Sequence, residues 1–289
     1  MGPFSIVSRI FLDIGVFSWD ILLTLSNLVR RKLRIGHVTP HGHPGYGGYW
    51  PEYKPPKETD SRCSCPALNA MANHGIIPRS GRNISFAEVE RHIRTTYNFS
   101  STFCSFVPRF AARMLKKDYS EDLFDLEELD LHNGIEHDGS LLRLDSAFKQ
   151  KQSTKHTPFI EELLAAATGR DRKDNSIILT TKDVSRMLSK RRAVSRASNK
   201  EFSLSSFHKI FGSTNAATLV TVFGGRVDDL HSFLHDERLP KGWELHIRQP
   251  HGMTLMQINK TVLEIERGVR ERDWAEAARE AAQFDKALV

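Results

Sequence analysis

The sequence predicts a mainly α-helical fold in a single domain, and three observations lead to that prediction. Several segments begin with helix-capping residues, few alternate apolar and polar residues as strands do, and no internal repeat is present. The chain has 289 residues, 39% of them hydrophobic, which is enough to bury one large core. We divide it into an N-terminal hydrophobic segment (1–34), a domain (35–268) and a charged, Ala-rich tail (269–289).

The charge distribution and the cysteine content argue against a nucleic-acid-binding protein and against a disulfide scaffold. The net charge is +6, but the basic residues are dispersed apart from the runs 30–34 and 190–192, and no nucleic-acid-binding motif accompanies them. We therefore expect no nucleic-acid partner, and we expect the run 190–192 to be a solvated turn of a helix. Three cysteines leave at least one unpaired, which argues against a disulfide scaffold.

Residues 4–29 predict an amphipathic helix in front of the domain. Charged residues interrupt this segment, so no uncharged run reaches the ~18 residues of a simple transmembrane helix. On a helical wheel, polar and apolar residues fall on opposite sides. The polar side holds Arg9, Asp13, Asp20, Thr24 and Asn27, and the apolar side holds Phe4, Val7, Phe11, Ile14, Ile21, Leu25 and Leu28.

The basic run Arg30–Arg34 follows this helix directly, as is typical of segments that lie on an anionic membrane surface. We expect residues 4–34 to associate with a membrane; packing of the helix on its own domain is the alternative interpretation. The basic start and the cleavage site of a signal peptide are both missing. Secretion is nevertheless the alternative location, in which Asn83, Asn98 and Asn259 would be glycosylation acceptors.

The stretch 63–75 holds the first candidate site. Cys65 stands directly before Pro66, and proline is favoured at the first position of a helix. Cys65 is therefore predicted at the N-cap, facing the free amides of Ala67 and Leu68. Those donors and the helix dipole favour a thiolate, which can act as a nucleophile or a metal ligand. The alternative is a small buried apolar side chain.

The second candidate site is the segment 132–138, where His137 stands between Glu136 and Asp138. A histidine beside two carboxylates can bind a metal ion or transfer a proton. The alternative interpretation is a capped turn before a helix at Leu141.

The remaining segments are mostly predicted helices. Ser85 and Glu88 have the spacing of a capping box that opens a helix, and the aromatic residues between 97 and 110 are expected to pack mainly in the core. Further helices are predicted over 158–168, 180–197, 204–210, 227–237 and 255–266.

Three motifs, in this order, resemble those of the haem-thiolate peroxidases, the family of fungal chloroperoxidases and unspecific peroxygenases. The first is Cys-Pro-Ala-Leu-Asn-Ala-Met-Ala-Asn-His-Gly at 65–75, followed by Ile-Pro-Arg-Ser-Gly-Arg-Asn-Ile at 77–84. The second is Glu-His-Asp-Gly-Ser at 136–140. The third is Glu-Arg-Leu-Pro at 237–240, with Gly242-Trp243 close behind.

The resemblance implies a helical chloroperoxidase-like fold and a haem b cofactor whose iron would have Cys65 as its axial ligand. It also implies that Glu136, the main-chain oxygen of His137 and Ser140 hold Mg²⁺ or Mn²⁺ near a haem propionate. The side chain of His137, positioned by Asp138, would lie on the peroxide side of the iron. Aromatic residues between 97 and 110 would contribute to a substrate channel.

One position departs from the family pattern. Where many members carry a glutamate directly before an Ala-Ala pair, this chain has Asn215, and an amide cannot take up a proton near neutral pH. The resemblance implies a peroxidase or peroxygenase that uses hydrogen peroxide on an apolar organic substrate, with His137, Asp138 and Asn215 as catalytic candidates. The alternatives are a haloperoxidase, an isomerase- or dehydratase-type activity in secondary metabolism, and a binding module without haem.

Overall fold

The computed structural model describes the backbone of residues 3–287 and the side chains of residues 14–280 and 282. This part of the chain is mainly helical, which confirms the predicted fold class. The α-helices are α1 (Pro3–Val29), α2 (Pro66–Asn73), α3 (Phe86–Tyr97), α4 (Ser101–Met114), α5 (Thr157–Ala165), α6 (Thr181–Ser198), α7 (Ser206–Thr221), α8 (Val227–Asp236), α9 (Leu255–Gly268) and α10 (Ala275–Ala287). Antiparallel pairs join β1 (Ile84–Ser85) to β2 (Leu123–Phe124) and β3 (Gly169–Arg170) to β4 (Ile177–Ile178).

Local capping determines where several helices begin. The Ser85 side chain accepts a hydrogen bond from the main-chain N–H of Glu88 at the start of α3, as predicted. Thr180 and Asp183 form a reciprocal capping box at the start of α6. The short helix predicted over 204–210 is only the first part of α7, which continues to residue 221.

The core is organised around α6, against which α7, α9 and α10 pack, and α7 also packs along α9. The expectation that residues 190–192 are solvated is wrong for two of the three, since Arg191 and Arg192 are buried. Arg192 pairs with Glu266 of α9 at 2.8 Å, and Arg191 lies 3.5 Å from the centre of the Phe159 ring. Both cations therefore connect α6 to neighbouring elements.

The helix α1 packs on the domain with its polar side. Asp20 is buried, and its carboxylate accepts hydrogen bonds from the main-chain N–H groups of Leu255 at 3.0 Å and Met256 at 2.9 Å. The hydroxyl of Thr102 in α4 also donates to Asp20. An acidic side chain of α1 thus satisfies the free amides at the start of α9.

Two further polar residues of α1 continue this contact. The hydroxyls of Thr24 and Thr254 lie 2.6 Å apart, and Asn27 Nδ2 donates to the main-chain oxygen of Gly252 at 2.9 Å. Packing on the domain, the alternative interpretation of this helix, is therefore the arrangement observed. The predictions for Phe4, Val7, Arg9, Phe11 and Asp13 concern side chains outside the described part.

The opposite side of α1 is left uncovered. Most of its exposed large apolar residues form a stripe along the helix: Ile14, Phe17, Ile21, Leu22, Leu25, Leu28 and Val29. Trp19 is also exposed and lies beside this stripe. Among the described residues, no helix has the length and hydropathy that crossing a bilayer requires.

Candidate active site

Cys65 lies at the N-cap of α2, with Pro66 in the first turn, as the sequence predicted. Burial raises the pKa of the Cys65 thiol, although the N–H groups of Leu68 and Ala67 and the charge of Arg143 act to lower it. Neither N–H forms a regular hydrogen bond with the sulfur. Burial therefore opposes the bias toward the thiolate that the sequence predicts, and a bound cation would favour the thiolate.

The loop before α2 is held by the fully buried amide of Asn69. Its Oδ1 accepts a hydrogen bond from Cys63 N at 3.0 Å, and its Nδ2 donates to Cys63 O at 2.7 Å. The same Nδ2 donates to Glu237 Oε1 at 2.9 Å. Arg143 Nη2 donates to this carboxylate oxygen at 2.9 Å and to Ser64 O at 3.3 Å. One buried carboxylate thus connects α2 to Arg143 behind the cysteine loop.

Glu237 belongs to the third sequence motif and ends α8 in the left-handed region, with φ 50°. Asn73 Nδ2 donates to Glu237 O at 3.1 Å, so the two asparagines of the first motif hold the same residue. His74 Nδ1 donates to Pro51 O at 2.6 Å, and His74 Nε2 accepts from Leu239 N at 3.1 Å. The first and third motifs therefore form one hydrogen-bonded unit around Cys65.

The imidazole of His137 is buried, and its Nδ1 donates to the main-chain oxygen of Asp138 at 2.9 Å. Because a carbonyl oxygen can only accept, this contact assigns the proton to Nδ1 and leaves Nε2 as an acceptor. Burial lowers the pKa of His137 to about 4, so the ring is uncharged at neutral pH. The ring lies against Gly212 of α7, where an added Cβ would stand 3.1 Å from Nε2 and 2.9 Å from Cε1.

The carboxylate of Asp138 does not make this contact. Its Oδ2 accepts from Ser203 N at 2.8 Å, and its Oδ1 is buried without a hydrogen-bond partner among the described residues. The expected positioning of His137 by Asp138 therefore operates through the main-chain oxygen of Asp138, which is a correction to the sequence-based expectation.

A candidate cation site lies beside this histidine. One ligand atom from each of His132, Glu136 and Asp138 lies within 4.8 Å of the others. Glu136 Oε2 is 2.7 Å from His132 Nδ1, while Glu136 Oε1 is buried with no hydrogen-bond partner in the described part of the chain. Burial raises the pKa of Glu136 to about 6. Ser140, the other expected ligand, accepts through Oγ from Leu142 N at 3.3 Å.

A second histidine lies beside His137, and aromatic residues pack against that second histidine. The rings of His137 and His208 are 6.2 Å apart between centroids, and His208 Nδ1 lies 2.9 Å from Ser205 Oγ. Phe207 packs against His208 at 5.5 Å and against Phe110 of α4 at 5.3 Å. This arrangement brings one of the aromatic residues expected near a substrate channel to the neighbourhood of His137.

Residues 51–247 match the family described as "Peroxidase, family 2". The chain belongs to this peroxidase family. It is 34% identical to the chloroperoxidase of Leptoxyphium fumago over 97 residues, which is 32% of this chain and 26% of that protein. It is 37% identical to the dothistromin biosynthesis peroxidase dotB of Dothistroma septosporum over 62 residues, 22% of this chain and 15% of that protein. The matched segments thus span about a quarter or less of these relatives.

Membership of peroxidase family 2 implies a haem cofactor and agrees with the resemblance of the three motifs. The sequence did not identify His208, Arg143 or the contact of Gly212 with His137. Arg143 stands three positions after the last residue of the second motif, and this nearness was the available signal. The position of His208 depends on how α7 packs. Asn215 lies one turn after Gly212 and is exposed, and its role stays a prediction.

Proposed function

We propose that this member of peroxidase family 2 is a haem-thiolate enzyme that uses hydrogen peroxide to oxidise or oxygenate an apolar organic compound. The observation that carries the proposal is the position of Cys65 at the start of α2, in a loop held by Asn69 and Glu237. Cys65 therefore stands on a hydrogen-bonded loop, and a cation such as haem iron would offset the effect of burial and favour its thiolate.

The residues near Cys65 fit a haem. Nε and Nη1 of Arg143 are buried without a hydrogen-bond partner among the described residues, and such donors suit a propionate carboxylate. When bound, haem would supply the iron at which the O–O bond of peroxide is broken. Arg143 would bind a propionate, and Cys65 would supply a sulfur ligand to the iron.

The chain's own contribution to peroxide chemistry is a proton acceptor at His137 Nε2. Burial lowers the pKa of His137 to about 4, so Nε2 carries no proton at neutral pH and is available as an acceptor, as a weaker base than an exposed histidine. Asn215 cannot take that proton, although its amide can donate or accept a hydrogen bond. Phe207 packs against Phe110 and against His208, the neighbour of His137, and these apolar rings favour an apolar substrate in that region.

We further propose that Mg²⁺ or Mn²⁺ binds through the unpartnered Oε1 of Glu136. Hard oxygen donors suit both ions, and Asp138 Oδ1 is a second buried oxygen that lacks a hydrogen bond within the described residues. The main-chain oxygen of His137 and the hydroxyl of Ser140 are the further ligands that the family resemblance implies. His132 is an additional candidate, since its Nδ1 lies beside Glu136.

Absorption spectra of the reduced protein under carbon monoxide test the assignment of Cys65. We expect a strongly red-shifted Soret band for the natural protein and for Cys104→Ala, which removes another buried cysteine as a matched control. Cys65→Ala should lose the red shift. A red-shifted band that survives in Cys65→Ala, or a natural protein without haem, would refute the proposal.

The exposed amide of Asn215 favours a second candidate, a haem-thiolate isomerase, dehydratase or haloperoxidase of secondary metabolism that makes little use of peroxygenation. The variant Asn215→Glu separates the two candidates, with Asn215→Gln as the uncharged control. A large rise in peroxide-dependent oxygenation in the glutamate variant alone supports the second candidate. Equal rates in both variants and the natural protein would favour the peroxygenase with His137 as its proton acceptor.

We also propose that the protein docks on an anionic membrane surface through the uncovered side of α1. The hydrogen bonds of Asp20, Thr24 and Asn27 hold the apolar stripe outward, where Leu28 and Val29 are 73% and 85% exposed. Each such side chain would gain ~1 kcal/mol on entering the interface. The exposed basic run 30–34 follows directly, and each cation near acidic lipid adds ~1 kcal/mol.

Sedimentation with phosphatidylcholine vesicles, with and without phosphatidylserine, tests this docking. We expect binding to the anionic vesicles, and a loss of binding of tenfold or more in the double variant Leu25→Asp/Leu28→Asp. Ile177→Asp, the same kind of apolar-to-acidic change at another exposed site, is the control and should bind normally. Absence of vesicle binding, or a dimer in solution that the double variant dissociates, would contradict the proposal.

A further inference from the structure

Three potential metal ligands meet between α5 and α8, on a surface that the proposed haem chemistry does not use. His231 and His235 stand one helical turn apart in α8, and their ring centroids are 4.5 Å apart. Glu161 of α5 faces them, with Oε1 at 2.9 Å from His235 Nε2. One ligand atom of each residue lies within 4.8 Å of the other two.

The interactions within the fold do not account for this cluster. His235 Nε2 is buried and, among the described residues, has no hydrogen-bond partner, since its contact with Glu161 lacks hydrogen-bond geometry. The His235 side chain is only 17% exposed, whereas that of Glu161 is 59% exposed. Two polar atoms that face each other away from water, here a ring nitrogen and a carboxylate oxygen, lower the stability of the fold unless a proton or a metal ion lies between them.

We propose that His231, His235 and Glu161 bind a Zn²⁺ ion, with water as the fourth ligand. Two imidazole nitrogens and one carboxylate oxygen are a donor set that zinc uses in proteins, and they exclude Mg²⁺ and Ca²⁺, which prefer oxygen. Ligands at ~2.1 Å from zinc in a tetrahedron lie ~3.4 Å from one another. The side chains of His231 and Glu161 are exposed, so a change of rotamer can bring them toward that spacing, and His235 is the least exposed of the three.

A metal ion at this position would cross-link α5 to α8. The C-terminal end of α8 leads directly into Glu237, whose carboxylate holds Asn69 and Arg143 behind the cysteine loop. Zinc would therefore stabilise the protein by restraining α8, the helix that positions Glu237. This inference rests on the geometry of the two helices and is independent of the proposed haem enzyme.

Calorimetric titration of the tag-free, full-length protein with zinc chloride tests the site. We expect binding in the micromolar range or tighter and a rise of several degrees in Tm. His231→Ala and His235→Ala should each weaken binding at this site at least tenfold. His231 is exposed, so its variant remains informative if the more buried position tolerates no change. Glu161→Gln should weaken binding by a smaller factor.

The double variant His41→Ala/His43→Ala is the matched control, because it removes two exposed loop histidines and leaves the cluster intact. It should bind zinc as the natural protein does. Failure of the natural protein to bind zinc at 100 μM, unchanged binding in both His231→Ala and His235→Ala, or equal loss in the control would overturn the proposal.

Discussion

Replacement of Asn69 by alanine should be among the most destabilising single changes near the candidate site. The buried amide makes two hydrogen bonds with the main chain of Cys63, at 3.0 and 2.7 Å, and one with the carboxylate of Glu237 at 2.9 Å. A neutral hydrogen bond contributes ~1 kcal/mol and one to a charged group ~2 kcal/mol. With the polar groups of Cys63 left unsatisfied, Asn69→Ala should lower the free energy of unfolding by about 4 kcal/mol.

Thermal unfolding followed by circular dichroism measures this loss. For a domain of this size, about 4 kcal/mol corresponds to a fall in Tm of about 8 °C. Asn69→Asp should be at least as harmful, because it places a second carboxylate beside Glu237. Asn259→Ala, at an exposed position of α9, is the control and should change Tm by less than about 1 °C. Equal Tm values for Asn69→Ala and this control would refute the contribution to stability that we assign to the three hydrogen bonds of Asn69.

Three further predictions concern proton binding, a buried ion pair and a steric contact. Because the pKa of His137 is about 4, below its ordinary 6.5, only the unfolded chain binds this proton between those values. The free energy of unfolding should therefore fall by up to ~3 kcal/mol as the pH drops from 6.5 to about 4. His137→Gln should remove most of this pH dependence from the midpoint of urea unfolding. Arg192→Met should cost about 3 kcal/mol by leaving Glu266 unpaired, and the double variant Arg192→Met/Glu266→Gln should recover part of that loss in urea unfolding. Gly212→Ala should push the His137 ring aside and lower peroxide-dependent dye oxidation at least tenfold, whereas Gly15→Ala, where a methyl meets nothing within 4 Å, should not.

The parts of the site that sequence reasoning predicted depend on neighbours in the chain. Cys65 at the start of α2 follows from Pro66 and the helix-forming residues after it. The capping of α3 by Ser85 likewise involves residues only three positions apart. These arrangements are encoded within a single turn, so a pattern over a few residues is sufficient to predict them.

The parts of the site and fold that sequence reasoning missed depend on contacts between residues that are far apart in the chain. Arg192 is buried because Glu266, 74 positions later, lies beside it. A helical wheel separates the two sides of α1 but cannot tell which side packs inward, and that choice depends on the free amides of Leu255 and Met256. The raised pKa of Cys65 also reflects burial by the whole fold, which outweighs the local helix dipole.

The contact of Asp20 with the start of α9 has a practical consequence for the production of this protein. Removing a hydrophobic N-terminal helix is a common way to improve solubility. Here, removal of residues 1–34 would take away the Asp20 carboxylate, which accepts hydrogen bonds from the main-chain N–H groups of Leu255 and Met256. It would also expose the polar groups of Thr254 and Gly252 that now contact α1. A more soluble protein is better sought by polar substitution of the outward residues, such as Leu25, in an intact chain, because the helix is a structural part of the domain.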